Sequence, residues 1–320
     1  MEETVRGRFA PSPSGRMHLG NVFTALLAWL SVRASGGTMV LRMEDLDPDR
    51  CRAEYAEVLA DDLRWLGLDW DEGYQKGGPH GPYLQSERTS YYKECFEHLE
   101  AEGLVYPCFC TRAERLAASA PHRADGRNVY TGRCRSLSPA QRAQRAGERD
   151  PAWRVMVPDE QVSFTDGHMG RYEEDLLTDC GDFIVRRSDG VYAYQLAVAA
   201  DDGAMKISQV VRGMDLLDST PRQIYLYRLL GLPVPVFFHV PLLVAPDGRR
   251  LSKRDRDLDM EALRANSSPE QVIGTLAFLA GQTDRPEPVQ ARELIPHFRW
   301  DRVPQKDIKT ETDIFDYCTD

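Results

Sequence analysis

The opening forty residues constrain the fold most. A short strand-like stretch, Gly7 to Ala10, runs into an irregular Pro- and Gly-rich segment, Pro11 to Gly20. An apolar run from Val22 to Val32 follows, and Gly37 to Met43 is again rich in strand formers. Strand, turn, helix and strand in that order make the first unit of a doubly wound parallel sheet, so the expected fold class is α/β, with a ligand crevice at the carboxyl ends of the strands. Ala53 to Leu66 reads as an amphipathic helix with Tyr55, Leu59, Leu63 and Leu66 on one face. Residues 73–82 read as a loop, and a helix from Ser90 to Glu102 stops at Gly103, a residue suited to the left-handed helix end. Between Cys108 and Asp175 the pattern turns polar, Arg-rich and weakly periodic, which reads as an insertion between two halves of the fold. Regular structure is expected to return at Phe183–Arg187, with a turn at Ser188–Gly190 and strands over Val191–Val198 and Ile207–Val211. Pro221 after Ser219 and Thr220 starts a helix that ends near Gly231. Ser268 and Gln271 form a capping box before Val272, Leu276 and Leu279. The expected divisions are therefore 1–105, first half of the α/β unit; 106–180, insertion; 181–258, second half; and 259–320, a short helical region.

Composition narrows the class. With 320 residues, 42% of them apolar, the chain can bury a sizeable core. Its longest apolar run is broken by Thr24 and ends at Arg33, too short to span a membrane and without signal-peptide flanks, so a cytoplasmic protein with no membrane partner is expected. The formal net charge of −10 does not advertise an RNA binder. It does not forbid one either, because phosphate contacts need only a local basic face. Arg186, Arg187, Arg249, Arg250, Lys253 and Arg254 are candidate pieces of such a face. Seven cysteines, three of them clustered, favour a metal site over a disulfide framework.

Two stretches carry chemistry. In the first, Gly15 and Gly20 flank His18 where the irregular segment becomes helix. A helix N-terminus offers unpaired N–H groups and partial positive charge, which suits a triphosphate, and glycine permits close approach of the nucleotide. His18 is placed to donate to a phosphate as charge builds there. In the second, a turn at Asp247–Gly248 is followed by Arg249, Arg250, Leu251, Ser252, Lys253 and Arg254, four cations in six residues. A basic loop that meets the phosphates in the transition state converts binding energy into rate. Lys253 is the expected partner of the α-phosphate.

These stretches resemble the two ATP-handling signatures of class I aminoacyl-tRNA synthetases, a His-Leu-Gly-Asn motif at 18–21 and a Lys-Met-Ser-Lys-Ser-like loop at 250–254. The resemblance implies a Rossmann-like catalytic domain that uses ATP and Mg²⁺, with His18 and Lys253 catalytic and with His18, Gly20, Asn21, Arg250, Leu251, Ser252 and Lys253 at the nucleotide. The loop departs from the family in having Arg250 where Lys is usual. Within the class the chain resembles the glutamyl branch through Arg8–Gly15, Arg42–Asp47, Tyr194–Val198 with Asp201 and Asp202, and Val211–Asp215. By that resemblance Arg8, Phe9, Ala10, Pro11, Ser12, Glu44, Tyr194 and Arg212 bind glutamate. Their chemistry agrees: arginine forks pair with carboxylates, Glu44 suits the ammonium, and the Tyr194 hydroxyl can fix orientation. The alternative for Arg42, Glu44, Asp45 and Asp47 is a solvated surface charge cluster.

Roughly 60 residues follow the basic loop, too few for the helical anticodon-reading region of full-length glutamyl synthetases. The chain is instead similar to the short branch that makes glutamyl adenylate without tRNA and esterifies queuosine in the anticodon of tRNA(Asp). That resemblance implies L-glutamate, ATP and the tRNA(Asp) anticodon stem-loop as partners, and a monomer is expected. The competing expectations are a truncated or discriminating synthetase that charges a tRNA 3′ end, and a catalytically silent tRNA-binding paralogue. Cys108, Cys110 and Cys134 are a credible tetrahedral zinc set on spacing alone, with His122 the first guess for a fourth ligand. Resemblance to the short branch points to Tyr130 in that place. With four protein ligands the zinc is structural. Cys51, Cys95, Cys180 and Cys318 read as ordinary small apolar residues.

Overall fold

The computed structural model describes residues 4–111, 129–130, 132–245, 247–249 and 259–310. Its first half runs β1 (Arg6–Phe9), α1 (Leu19–Ala34), β2 (Thr38–Leu41), α2 (Ala53–Trp65), β3 (Glu72–Gly73), α3 (Thr89–Ala101) and β4 (Val105–Cys108). Next come α4 (Pro139–Ala146), β5 (Ala152–Val155), β6 (Gln161–Asp166), β7 (Gly170–Asp175) and β8 (Phe183–Arg186). The remainder is α5 (Tyr194–Ala204), β9 (Gln209–Gly213), α6 (Thr220–Leu229), β10 (Val236–Val240), β11 (Leu243–Val244), α7 (Met260–Asn266), α8 (Pro269–Leu279), α9 (Ala291–Leu294) and β12 (Ile308–Lys309).

Five parallel strands form the central sheet in the order β10-β9-β1-β2-β3, so the chain starts in the middle and winds outward both ways. This is the expected doubly wound α/β arrangement. Helix α1 lies against the sheet, with Leu19, Val22, Phe23, Leu26, Leu27, Leu30 and Val32 buried in one apolar cluster. Gly7 makes that contact possible, since a Cβ there would stand 2.3 Å from Val32 Cγ2. A second cluster packs α3, α5 and α6 together through Tyr92, Phe96, Leu196, Ala200, Ile224 and Tyr227. Ser268 caps α8 through Gln271 as expected.

The region after Cys108 is more regular than its sequence suggests. Strands β4, β5 and β8 form an antiparallel sheet, and β6 and β7 a hairpin. Strand β8 therefore pairs with the sheet of the inserted region and not with the parallel sheet. One expectation fails outright: Val191–Val198 is not a strand, because α5 begins at Tyr194. Leu196 through Ala200 are all fully buried, so the segment has no polar face to betray a 3.6-residue period. That helix carries Tyr194 on its first turn and Asp201 and Asp202 near its end. Among the described residues no helix is long and apolar enough to cross a membrane.

Candidate active site

A cleft of about 500 Å³ opens at the carboxyl ends of β1, β2, β9 and β10. The chain beyond β1 supplies Phe9, Ala10, Pro11 and Ser12 to its wall, and Glu44 follows β2. Arg8 and Arg212 reach it from β1 and β9, Tyr194 from the start of α5, and His18, Gly20 and Asn21 from the start of α1. The structure thus brings every described residue of the two expected binding sets to one cleft. A neighbouring hollow of about 370 Å³ shares Ser12, Ser14, Glu44 and Tyr194 with it and extends to Asp47, Arg50 and Arg187.

His18 occupies the N-cap of α1, and the Asn21 side chain accepts the His18 backbone N–H at 3.1 Å. Gly20 leaves room for the imidazole, since a Cβ there would meet the ring at 3.1 Å. The positive end of a 16-residue helix therefore faces the cleft beside an imidazole. Arg250, Leu251, Ser252, Lys253 and Arg254 lie outside the described residues. The chain on either side of them abuts the cleft: Leu243 lines it, and Asp259 bridges His18. Of the other candidate RNA-facing cations, Arg187 pairs with Asp189 and Asp47, and Arg249 with Asp247.

Beneath the cleft is a buried charge cluster. Asp202 accepts from Arg42 at 2.6 Å, from Tyr227 at 3.2 Å and from Arg8 at 3.4 Å. Asp201 takes Arg88 at 2.6 Å, Gln85 at 2.8 Å and Tyr92 at 2.9 Å. Arg42 is fully buried and also reaches Glu44 at 3.1 Å. Arg42 and Glu44 are therefore not part of a solvated surface cluster. Burial raises the Asp202 carboxyl, yet Arg42 and Arg8 outweigh it and hold the group below the ordinary carboxylate value. Glu44 goes the other way, because burial pushes it up by more than Arg42 and Arg8 pull it down.

Arg212 differs from its neighbours. It is 4% exposed, and its three hydrogen bonds go to neutral acceptors: Thr220 Oγ1 at 2.7 Å, Gln223 Oε1 at 2.7 Å and His239 Nε2 at 3.0 Å. No carboxylate of the described residues pairs with it, and burial lowers its pKa. The cluster sets the guanidiniums of Arg8, Arg42, Arg88 and Arg212 against the carboxylates of Glu44, Asp201 and Asp202, and the buried Asp166 carboxylate reaches Arg212 only through the His239 ring, so among the described residues Arg212 has no carboxylate in direct contact. A buried cation without a counter-ion is costly unless a ligand supplies the anion. The cleft can therefore take a small anionic molecule at Arg212, with Glu44 in the same wall set for a cationic group.

A family model for tRNA synthetases class I (E and Q), catalytic domain, matches residues 4–315. The chain belongs to that family. It is 52% identical over 309 residues to a glutamyl-Q tRNA(Asp) synthetase of Symbiobacterium thermophilum, covering 95% of each chain. It is 48% identical to a protein of the same name from Nitratidesulfovibrio vulgaris, covering 98% of this chain and 97% of the other. Among solved structures it resembles a glutamate tRNA ligase of Elizabethkingia meningosepticum in complex with its amino acid, at 31% identity and a TM-score of 0.83. That match covers 98% of this chain and 68% of the ligase. As a class I synthetase the chain is a ligase that uses ATP and Mg²⁺. Magnesium arrives with the triphosphate and needs no dedicated protein cage.

The synthetase also carries its thiol cluster as expected. The Sγ atoms of Cys108, Cys110 and Cys134 lie within 4.8 Å of one another. Cys110 and Cys134 approach to 3.5 Å, near the ~3.8 Å edge of a tetrahedron with zinc–sulfur bonds of ~2.3 Å. The Tyr130 hydroxyl stands 3.4 Å from Cys108 Sγ and 3.5 Å from Cys110 Sγ, and accepts the Cys134 backbone N–H at 3.0 Å. Burial and the neighbouring sulfur groups push Cys110 up to about 11. These groups cannot all ionise together without a cation, and a divalent ion reverses that logic. The donor set fits structural zinc, with Tyr130 in reach of a fourth position; His122 lies outside the described residues. Arg154 stacks over the Tyr130 ring at 3.8 Å and holds it in place. Cys95 and Cys180 are buried and unbridged, as expected of small apolar residues, whereas Cys51 is half-buried with its thiol donating to the Glu44 carbonyl at 3.7 Å, and Cys318 lies outside the described residues.

Sequence reasoning passed over the residues that hold the binding arginines. Asp202 was visible only as part of a matching stretch, and Thr220, Gln223 and His239 gave no signal at all. Polar residues that serve other side chains share no periodic pattern with the ligand-facing ones.

Proposed function

We propose that this chain activates L-glutamate with ATP, without tRNA, and transfers it to the queuosine base in the anticodon of tRNA(Asp). The observation that carries the substrate half is Arg212, a buried guanidinium with no carboxylate partner among the described residues, in the wall of the cleft that Glu44 also lines. Glutamate supplies what the cleft lacks: a carboxylate for Arg212 and an ammonium for Glu44, with the Tyr194 hydroxyl to orient it and the Phe9–Ser12 backbone to line its path. The α-carboxylate attacks the α-phosphorus of ATP, a mixed carboxylic–phosphoric anhydride forms as the bond to the bridging oxygen breaks, and pyrophosphate leaves. His18 at the helix start and Lys253 on the basic loop stabilise the charge that builds on the phosphates, and Gly20, Asn21, Arg250, Leu251 and Ser252 bind the nucleotide beside them. In the second step a hydroxyl of the queuosine cyclopentene ring attacks the acyl carbon, an ester forms, and AMP departs with its phosphate taking the proton. Near full-length likeness to the two glutamyl-Q tRNA(Asp) synthetases supports this acceptor. Zinc held by Cys108, Cys110, Tyr130 and Cys134 stiffens the inserted region, and the enzyme works as a monomer.

The test is transfer of labelled glutamate to two tRNA pools, one from normal cells and one from cells unable to make queuosine. Label confined to the queuosine pool and resistant to periodate oxidation of the 3′ end is the expected result. Equal charging of both pools, abolished by periodate, makes the chain a synthetase for a tRNA 3′ end. No transfer and no glutamate-dependent pyrophosphate exchange makes it a silent paralogue.

A further inference from the structure

We infer that Asp166 and His239 are positioning residues for the substrate carboxylate, acting through Arg212; the inference rests on the glutamate reading of the cleft. His239 on β10 lies directly opposite Arg212 on β9 in the sheet register. Its Nε2 receives the Arg212 Nε–H at 3.0 Å, and only a ring protonated on Nδ1 alone has a lone pair there. Nδ1 is 2.5 Å from Oδ2 of Asp166, which comes from the end of β6 in the inserted region. All three side chains are buried, with exposures of 2%, 0% and 4% for Asp166, His239 and Arg212.

The carboxylate is itself fixed. Asp166 Oδ1 accepts the backbone N–H groups of Met169 at 2.9 Å, His168 at 3.0 Å and His239 at 3.1 Å. Burial of the imidazole lowers its pKa, which keeps it neutral and its Nε2 an acceptor. Three of the five guanidinium N–H positions of Arg212 are thereby spent on fixed neutral acceptors and two remain for a ligand. The hairpin of the inserted region thus sets the aim of the arginine that meets the substrate.

Asp166→Asn tests this without changing shape. The backbone donors hold the amide oxygen on their side, so its NH₂ faces Nδ1. The ring must then accept there and carry its proton on Nε2, against the Arg212 Nε–H. Nitrogen NMR of labelled histidine, assigned by loss of the signal in His239→Gln, should show the Nδ1–H tautomer in the wild type and Nε2–H in D166N. In glutamate-dependent pyrophosphate exchange, D166N should raise the glutamate KM about ten- to a hundredfold, the loss expected for one hydrogen bond to a charged group. The ATP KM should stay within twofold. His239→Gln keeps an acceptor for Arg212 and should remain within about threefold of wild type, whereas His239→Leu should behave like D166N. An Nε2–H tautomer in the wild type, parallel rises in both KM values, or a Gln variant as defective as the Leu variant overturns the inference. If D166N does not fold, the wild-type tautomer and the Gln/Leu pair decide the matter. A wild-type protein with the Nδ1–H tautomer but no glutamate-dependent exchange overturns the substrate reading and shows the network serves something else.

Discussion

Asp202→Asn removes one charge from the buried cluster and changes almost nothing else. Asn keeps an oxygen for Tyr227 and a shape that fits, but Arg42 and Arg8 lose their shared anion. The side chains of Asp202 and Arg42 are 1% and 0% exposed, respectively, and meet at 2.6 Å. At a separation of charge centres of ~4 Å and an effective dielectric constant of ~20, one such attraction is worth about 4 kcal/mol. Desolvation of the carboxylate opposes it, yet the lowered pKa of Asp202 shows that attraction wins. Breaking a buried pair by removing one partner costs about 3–5 kcal/mol, a large part of the ~5–15 kcal/mol that stabilises a typical fold. Urea denaturation near pH 7 followed by tryptophan fluorescence should show a loss of that size. Glu97→Gln is the control: its pair with Lys93 is 3.5 Å long and more than half exposed on both sides, so its loss should stay below about 0.5 kcal/mol. The pH dependence fixes the sign. Because the folded value is depressed, the contribution of Asp202 is fully present above its unfolded value of ~3.9 and disappears as pH falls through the folded value. The gap between wild type and D202N should therefore be constant near neutrality and close below about pH 4. A loss under about 1 kcal/mol, or a gap that does not close in acid, refutes the view that this carboxylate neutralises the arginines.

Glu44→Gln should raise the glutamate KM by about ten- to a hundredfold, the scale of one charge-assisted hydrogen bond, and leave the ATP KM unchanged in pyrophosphate exchange. Since burial raises Glu44, wild-type affinity for glutamate should weaken as pH falls toward that raised value, and the variant should lack this limb of the profile. Lys253→Ala should lower kcat about 10²–10³-fold with little effect on glutamate KM, as for loss of one donor to a developing oxyanion; equal loss at both substrates would place Lys253 in ground-state binding. Zinc measured by mass spectrometry should be near one atom per chain and absent from Cys134→Ser. Tyr130→Phe separates the ligand sets: weakened retention implicates the phenol, and unchanged retention implicates another residue.

What the sequence revealed depended on how directly a residue meets ligand or solvent. The β1–turn–α1–β2 opening was legible because glycines, prolines and an apolar run occupy fixed places, and His18, Gly20 and Asn21 stand at that junction. The thiol set was legible because three cysteines within one short stretch are a recognisable zinc-binding pattern. Helix α5 was misread because Leu196 to Ala200 are buried on every side, so no alternation separates helix from strand. The three-stranded sheet of the inserted region was missed because β4, β5 and β8 are distant in sequence and short. Arg42 could be noticed but not placed: its full burial follows from Asp201 and Asp202 reaching it from a helix some 160 residues on.

The same arrangement explains how a chain with a net charge of −10 can select an anion. Long-range attraction is not what recruits glutamate, since the overall field is repulsive and screened beyond ~8–10 Å at physiological salt. In the proposed reading, selection rests on Arg212, which among the described residues has no carboxylate in direct contact and is buried where screening is weak. Glutamate at neutral pH brings a side-chain carboxylate that can pair with the guanidinium directly. Glutamine is neutral, is nearly the same shape, and would leave the guanidinium without an anion. The fixed neutral contacts of Arg212 sharpen the difference. They hold the fork in position without neutralising it, so in the proposed reading, with the side-chain carboxylate at Arg212, its charge is directed at the group that distinguishes the two amino acids. A site built this way rejects the uncharged analogue through the cost of an unpaired buried charge, the kind of polar mismatch that yields discrimination of ~10⁴ or more.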